Sequence, residues 1–198
     1  MMYYFGRGVP LSYAEAAKWF RLAANQGDSS AEGWLGMMYY RGDLPRDYAE
    51  AAKWYCLAAK QGYAPAMSDL GNMYVQGEGM AKNDVKAVKW FRLAADRGYA
   101  GAQTALGVMY DRGEGVPQDY AEAVKWYRLA ANQGDARAQL LLGAMYFDGQ
   151  GVTQDYAQAY LWFNLSAAQD YQGAAKARDL VAERMTPAQV AEAQRLAR

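Results

Sequence analysis

The chain has 198 residues, which at about 150 residues per domain allows one domain or one continuous array. Hydrophobic residues make up 53% and charged residues 21%, which excludes intrinsic disorder. Balanced charge, 21 basic against 21 acidic, leaves no global field for phosphate backbones or anionic lipid, so no nucleic-acid partner is expected.

Histidine is absent and Cys56 is the one cysteine, which removes the commonest general base, the commonest metal ligand and any intrachain disulfide. No cofactor or metal is expected from such a composition. The start, Met1 to Arg7, lacks the basic and apolar regions of a signal peptide. The longest apolar run, Leu140 to Phe147, is broken by Gly143 and is far below the ~20 residues a membrane span needs. The expectation is a soluble chain. The cytoplasm is favoured, and the periplasm stays open if the chain is cut upstream.

Two markers recur along the chain. Trp-aromatic pairs stand at Trp19-Phe20, Trp54-Tyr55, Trp90-Phe91, Trp126-Tyr127 and Trp162-Phe163, spaced 35, 36, 36 and 36. Met-Tyr pairs stand at Met2-Tyr3, Met38-Tyr39, Met73-Tyr74, Met109-Tyr110 and Met145-Tyr146, spaced 36, 35, 36 and 36. Two independent markers on one period define an array, with one residue deleted between Tyr39 and Trp54.

In chain order, 1–27 is a partial first repeat, and full repeats span 28–62, 63–98, 99–134 and 135–170. Met2-Tyr3 matches the end of a first helix whose beginning is missing. The favoured reading is a fragment, the other an open N-terminal edge that pairs with another molecule. Each repeat pairs two helices around a glycine-rich turn. Capping boxes start the second helix at Ser12/Glu15, Asp47/Glu50, Asp119/Glu122 and Asp155/Gln158, and Asn83 supplies a cap alone. Gly27, Gly62, Gly98 and Gly134 stop it.

The fourth copy shows the faces. Ala102, Leu106 and Met109 make an apolar stripe on the first helix. On the second, Tyr120, Ala123, Val124, Tyr127 and Ala131, widened by Trp126, Leu129 and Ala130, cover about 220°, as in a helix buried on two sides. Only a strip near Ala121, Lys125, Arg128 and Asn132 is left for water. Residues 171–198 lack the repeat signature. Thr186-Pro187 with Gln189 starts a polar last helix, so this segment reads as a capping helix pair.

These residues resemble the Sel1-like repeat family, tetratricopeptide-like α-solenoids, whose pattern is roughly A-x-x-x-L-G-x-M-Y-x-x-G-x-G-V-x-x-D-Y-x-x-A-x-x-W-[YF]-x-x-A-A-x-x-G. The match runs from Met2 to about Leu196, with local departures at Leu44-Pro45, Asp84 and Asp170. The resemblance implies an all-α superhelix of about five helix–turn–helix repeats with a concave face and a scaffold or adaptor role. It also associates some bacterial members with envelope, secretion or host-interaction roles. The cysteine pairs that staple some members are absent.

No nucleophile elbow, S-x-x-K or phosphate loop occurs, and the G-x-G turns recur once per repeat without a preceding strand. Cys56 occupies the column of Arg21, Arg92 and Arg128 and is expected to be an exposed, incidental thiol. Glu78, Glu114, Asp111 and Asp148 lie at the turns; they read as a solvated rim, and as a conceivable glycan-cleaving set.

The outward columns of the first helices vary between copies. They hold Trp34, Met37 and Tyr40; Ser68, Asp69, Asn72 and Val75; Thr104, Val108 and Asp111; Leu140, Leu141, Ala144 and Phe147. Trp34 is the one tryptophan outside the structural column. It is expected to anchor a protein or peptide, the other reading being that it covers the N-terminal edge. For Leu141 and Phe147, packing on the C-terminal cap is the preferred reading. Trp90→Ala is expected to cost roughly 3–5 kcal/mol as a core aromatic, and Trp34→Ala much less. The leading expectation is thus a non-catalytic adaptor. Glycan binding and self-association through the N-terminal edge are its rivals.

Overall fold

The computed structural model describes residues 1–196, and every regular element among them is helical. They divide into two compact units, 1–97 and 98 onward. The first contains α1 (Met2–Phe5), α2 (Tyr13–Ala24), α3 (Ser29–Arg41), α4 (Tyr48–Lys60), α5 (Ala64–Gln76) and α6 (Asp84–Ala95). The second contains α7 (Ala100–Arg112), α8 (Tyr120–Asn132), α9 (Ala136–Asp148), α10 (Tyr156–Ala167), α11 (Ala174–Ala182) and α12 (Pro187–Leu196). Within each unit, helices adjacent in sequence pack on one another, except that α12 packs on α10 beside α11.

Helix starts follow the expected caps with one correction. Asp47, Asn83, Asp119 and Asp155 each accept the backbone N–H three residues on, at 2.9–3.0 Å. The return half of the expected capping box is replaced. The cap residue's own N–H donates instead to the carbonyl of the Met-Tyr tyrosine. These bonds run from Asp47 to Tyr39 at 3.2 Å, from Asn83 to Tyr74, Asp119 to Tyr110 and Asp155 to Tyr146 at 2.9 Å, and from Ser12 to Tyr3 at 3.0 Å. The amide is therefore satisfied by the preceding helix, and the bond pins the two helices of a repeat together. Glu50 and Glu122 are then free to pair with Lys53 and Lys125. At α12 the box closes both ways, Thr186 N–H donating to Gln189 Oε1 at 2.8 Å and Gln189 N–H to Thr186 Oγ1 at 3.3 Å.

The turns bring backbone against backbone. A Cβ on Gly79 would sit 2.4 Å from the carbonyl oxygen of Tyr48, and one on Gly151 2.4 Å from that of Tyr120. The second glycine of each of these turns thus packs on the second helix of the preceding repeat. Asp170, which stands where other copies stop with glycine, takes the same left-handed conformation at φ 55°.

The core is made by the second residue of each Trp-aromatic pair. Phe20, Tyr55, Phe91, Tyr127 and Phe163 are all buried. Four of these rings lie on the helical glycine of a Leu-Gly pair. A Cβ on Gly36, Gly71, Gly107 or Gly143 would come within 2.5–2.7 Å of the ring of Tyr55, Phe91, Tyr127 or Phe163. The bare backbone lets the two helices approach until ring and main chain touch.

The tryptophan column is corrected accordingly. Trp19 is 53% exposed and Trp90 only half-buried, and Leu22, Leu57, Leu93 and Leu129 are 42–48% exposed. The apolar arc on the second helix is therefore wider than the buried surface. Part of the stripe at Trp126 and Leu129 faces solvent with Lys125 and Arg128.

Candidate functional site

Polar side chains connect the helices in recurring columns. Gln61 donates to Glu32 at 2.7 Å, Gln133 to Gln103 at 2.7 Å and Gln169 to Gln139 at 3.0 Å. Arg21 donates to the Tyr39 hydroxyl and Arg128 to the Tyr146 hydroxyl, both at 2.7 Å. These repeat with the scaffold and serve it. Cys56 stands in the arginine column and is half-buried, not exposed. It lines a groove with Leu57, Leu70, Tyr74, Met80 and Trp90, because its short side chain cannot reach outward as arginine does.

One polar cluster does not repeat. On unit 1, α3 and α5 enclose a cleft of about 210 Å³ lined by Tyr40, Tyr55, Asp69, Asn72 and Gln76. Asp69, Asn72 and Gln76 are three and four residues apart on α5, so they share one face. Tyr55 comes from the buried face of α4, and its hydroxyl lines the cleft beside the Asp69 carboxyl. Tyr40 closes the cleft from α3. Its hydroxyl lies 2.7 Å from Glu78 Oε2 and 3.0 Å from Gln76 Oε1, and its ring is 5.3 Å from that of Tyr48. Burial and the Glu78 carboxylate push the Tyr40 hydroxyl up to about 12.

Asp69 is the strained member. Burial lifts its carboxyl from 3.8 to about 6, and the Tyr55 hydroxyl only partly opposes this. Between these values the folded chain keeps a proton that the unfolded chain releases, so stability falls as pH rises through that window. At about 1.4 kcal/mol per pH unit the loss is bounded at ~3 kcal/mol above pH 6. Asp69→Asn is therefore expected to gain stability at neutral pH and to flatten the pH dependence between 4 and 6, as read by urea titrations across that range. The corresponding columns of unit 2 hold Ala105 and Leu141, which carry no such penalty.

The other expected site residues fall into two groups. Met37 is half-buried against the unit 1 core, Val75 is half-buried on α5, and Val108 packs on the α8–α9 core. Asp111 is half-buried and accepts from the Tyr127 hydroxyl at 3.3 Å. Trp34, expected as an outward anchor, is occupied. Its ring stacks on Phe20 at 5.8 Å with an interplanar angle of 3° and meets Tyr4 at 5.2 Å and Phe5 at 5.9 Å edge-on. Trp34 thus covers the N-terminal end of the core, because α1 and α2 supply rings on both of its sides. Leu140 and Phe147 pack on the cluster of Phe163, Val181 and Ala193, with Tyr156 at 5.7 Å and the Arg184 guanidinium 4.8 Å from the Phe147 ring. The C-terminal helices cover them.

Asp69 stands in an outward column without being singled out from the sequence, and Gln76 is not identified there at all. The signal was Tyr55, since tyrosine in a column shared with phenylalanine brings a hydroxyl that needs an acceptor. The turn carboxylates are partly engaged: Glu78 by Tyr40, Asp111 by Tyr127, and Glu114 by Arg112 at 3.8 Å. Among the described residues no group of three His, Cys, Asp or Glu side chains is placed to hold a metal, and no helix is long and apolar enough to cross a membrane.

Helix pairs repeated on a 36-residue period, with variable side chains on their first helices, define an all-α helical repeat protein. The Sel1 repeat pattern matches residues 1–28, 29–63, 64–99, 100–135 and 136–171, and the chain belongs to the Sel1 repeat family. It is similar to the crystal structure of a Sel1 repeat protein from Oxalobacter formigenes, with 37% identity and a TM-score of 0.77 over 84% of this chain and 69% of that one. It also resembles c5321, a protective antigen of uropathogenic Escherichia coli with the same fold. There the identity is 32% and the TM-score 0.61, over 99% of this chain and 50% of that one, so the chain spans half of that relative. The immunity protein Pa5087 from Pseudomonas aeruginosa, at 23% identity and a TM-score of 0.59 over 82% of this chain and 61% of that one, shares the fold. A comparison with curated proteins returns no match.

Proposed function

We propose that the protein is a non-catalytic adaptor that binds another protein or an extended peptide on the α3–α5 face of unit 1. One observation carries this reading. At the variable positions Asp69, Asn72 and Gln76 of α5, polar side chains line a cleft, and Asp69 is held there at a cost to folding. A residue that weakens the fold is more readily explained by binding than by packing. Tyr40 and Asn72 form the centre of the site, with Met37 and Val75 on the same two helices, while Trp34, Leu140 and Phe147 serve the fold. The family membership supports a scaffold role in general terms.

The test is affinity capture from native lysate with mass spectrometry, comparing the wild-type chain with Asn72→Arg and, on the outer face of α8, Lys125→Glu. Asn72 is exposed, so its replacement leaves the core intact. The expected result is a partner lost with Asn72→Arg and kept with Lys125→Glu. A partner lost only with Lys125→Glu would move the interface to the second helices and overturn the assignment.

A further inference from the structure

The chemistry lining the cleft narrows what enters it. Its polar groups are the Asp69 carboxylate, the Asn72 and Gln76 amides and the Tyr40 and Tyr55 hydroxyls, and no cationic side chain is among them. Glu78 adds a second carboxylate at the mouth through Tyr40. Arg41 is near enough to act on Tyr55, while what raises the Asp69 carboxyl is its burial. The Tyr55 hydroxyl beside it has one proton to give, and the carboxylate has about four lone-pair sites to fill.

Size adds a second constraint. About 210 Å³ is below the 300–1,000 Å³ typical of small-molecule pockets. It suits one side chain better than a whole metabolite. Asp69 to Gln76 is seven residues of helix, roughly 10 Å, which gives an elongated mouth rather than a round one.

We infer that the cleft receives the cationic head of an arginine or lysine side chain from an extended partner segment, held by Asp69 with Asn72, Gln76 and Tyr40 around it. This deepens the adaptor reading and rests on it. A cation beside Asp69 supplies the charge that the lining lacks and removes the penalty of an ionised carboxylate in a part-buried site. A guanidinium suits the geometry best, since its planar donors can meet a carboxylate and a neighbouring amide oxygen together. An anionic or apolar side chain would leave Asp69 uncompensated. The periodic counterparts, Leu141 and Ala144 on α9, offer no such acceptors, so the preference belongs to unit 1.

The test is NMR titration of the full chain with Nα-acetyl-arginine methylamide, with the lysine analogue, and with the citrulline analogue as an uncharged isostere. The side-chain amides of Asn72 and Gln76 and the carboxyl carbon of Asp69 report on the cleft. The expected result is saturable shifts with arginine, lysine or both, about tenfold weaker or more in Asp69→Asn and unchanged in Glu114→Gln. The arginine and lysine arms tell the two cations apart. Equal binding of citrulline, shifts insensitive to Asp69→Asn, or no saturable shift would each overturn the inference. Failure here with Asn72-dependent partner capture intact would remove the cation and leave the adaptor. Probe binding without any captured partner would do the reverse.

Discussion

Phe91→Ala is expected to lose about 3–5 kcal/mol of stability, while Trp90→Ala, one residue earlier, loses roughly 1–2 kcal/mol. Phe91 is 1% exposed and its ring lies on Gly71, so truncation leaves a cavity between two helices that cannot close around it. Trp90 is half-buried along an open groove with Cys56 and Leu57, where water can replace part of what is removed. Trp34→Ala belongs with the larger losses, because its ring is packed by Phe20, Tyr4 and Phe5. Chemical denaturation of the three variants ranks them. A loss for Trp90→Ala equal to that for Phe91→Ala would contradict the assignment of the core to the second aromatic of each pair.

Gly107→Ala separates two physical effects of opposite sign. Helix propensity alone predicts a gain of about 1 kcal/mol, since glycine inside a helix is unfavourable. Packing predicts a loss. The new Cβ would stand 2.6 Å from Tyr127 Cδ1 and Cε1 and 3.3 Å from the Ala123 carbonyl oxygen. Tyr127 is fully buried, so its ring has nowhere to go without separating α7 from α8. Overpacking of this kind costs about 1–3 kcal/mol and sometimes more, so a net loss near 2–3 kcal/mol is expected in urea denaturation. A stabilised Gly107→Ala variant would show that ring and helix are not in contact.

The repeat was legible because it is periodic. Two short markers located every repeated helix pair up to α10, and the cap residues gave the starts of the second helices, since these are local properties of four or five residues. Which aromatic of each Trp-aromatic pair faces inward was not legible. Both fall on one wide apolar arc, and the choice is made by a glycine about 20 residues earlier on another helix, as with Gly71 and Phe91. The same limit hid the environment of Trp34, whose outward column says nothing of the rings that α1 and α2 bring to it. The cleft was half legible. Tyr40 and Asn72 stood out as variable outward positions, but Asp69 gained its meaning only when α4 placed Tyr55 beside it.

The central claim, that partners dock on the α3–α5 face of unit 1, is tested most directly by site-specific photo-crosslinking in the native cell. A benzoylphenylalanine replaces Asn72 in one variant and Lys125 in another, both exposed positions on stable helices. A discrete higher-mass adduct from position 72, and none from position 125, is the predicted result. Adducts from position 125 with none from position 72 would place the interface on the second helices and contradict the account.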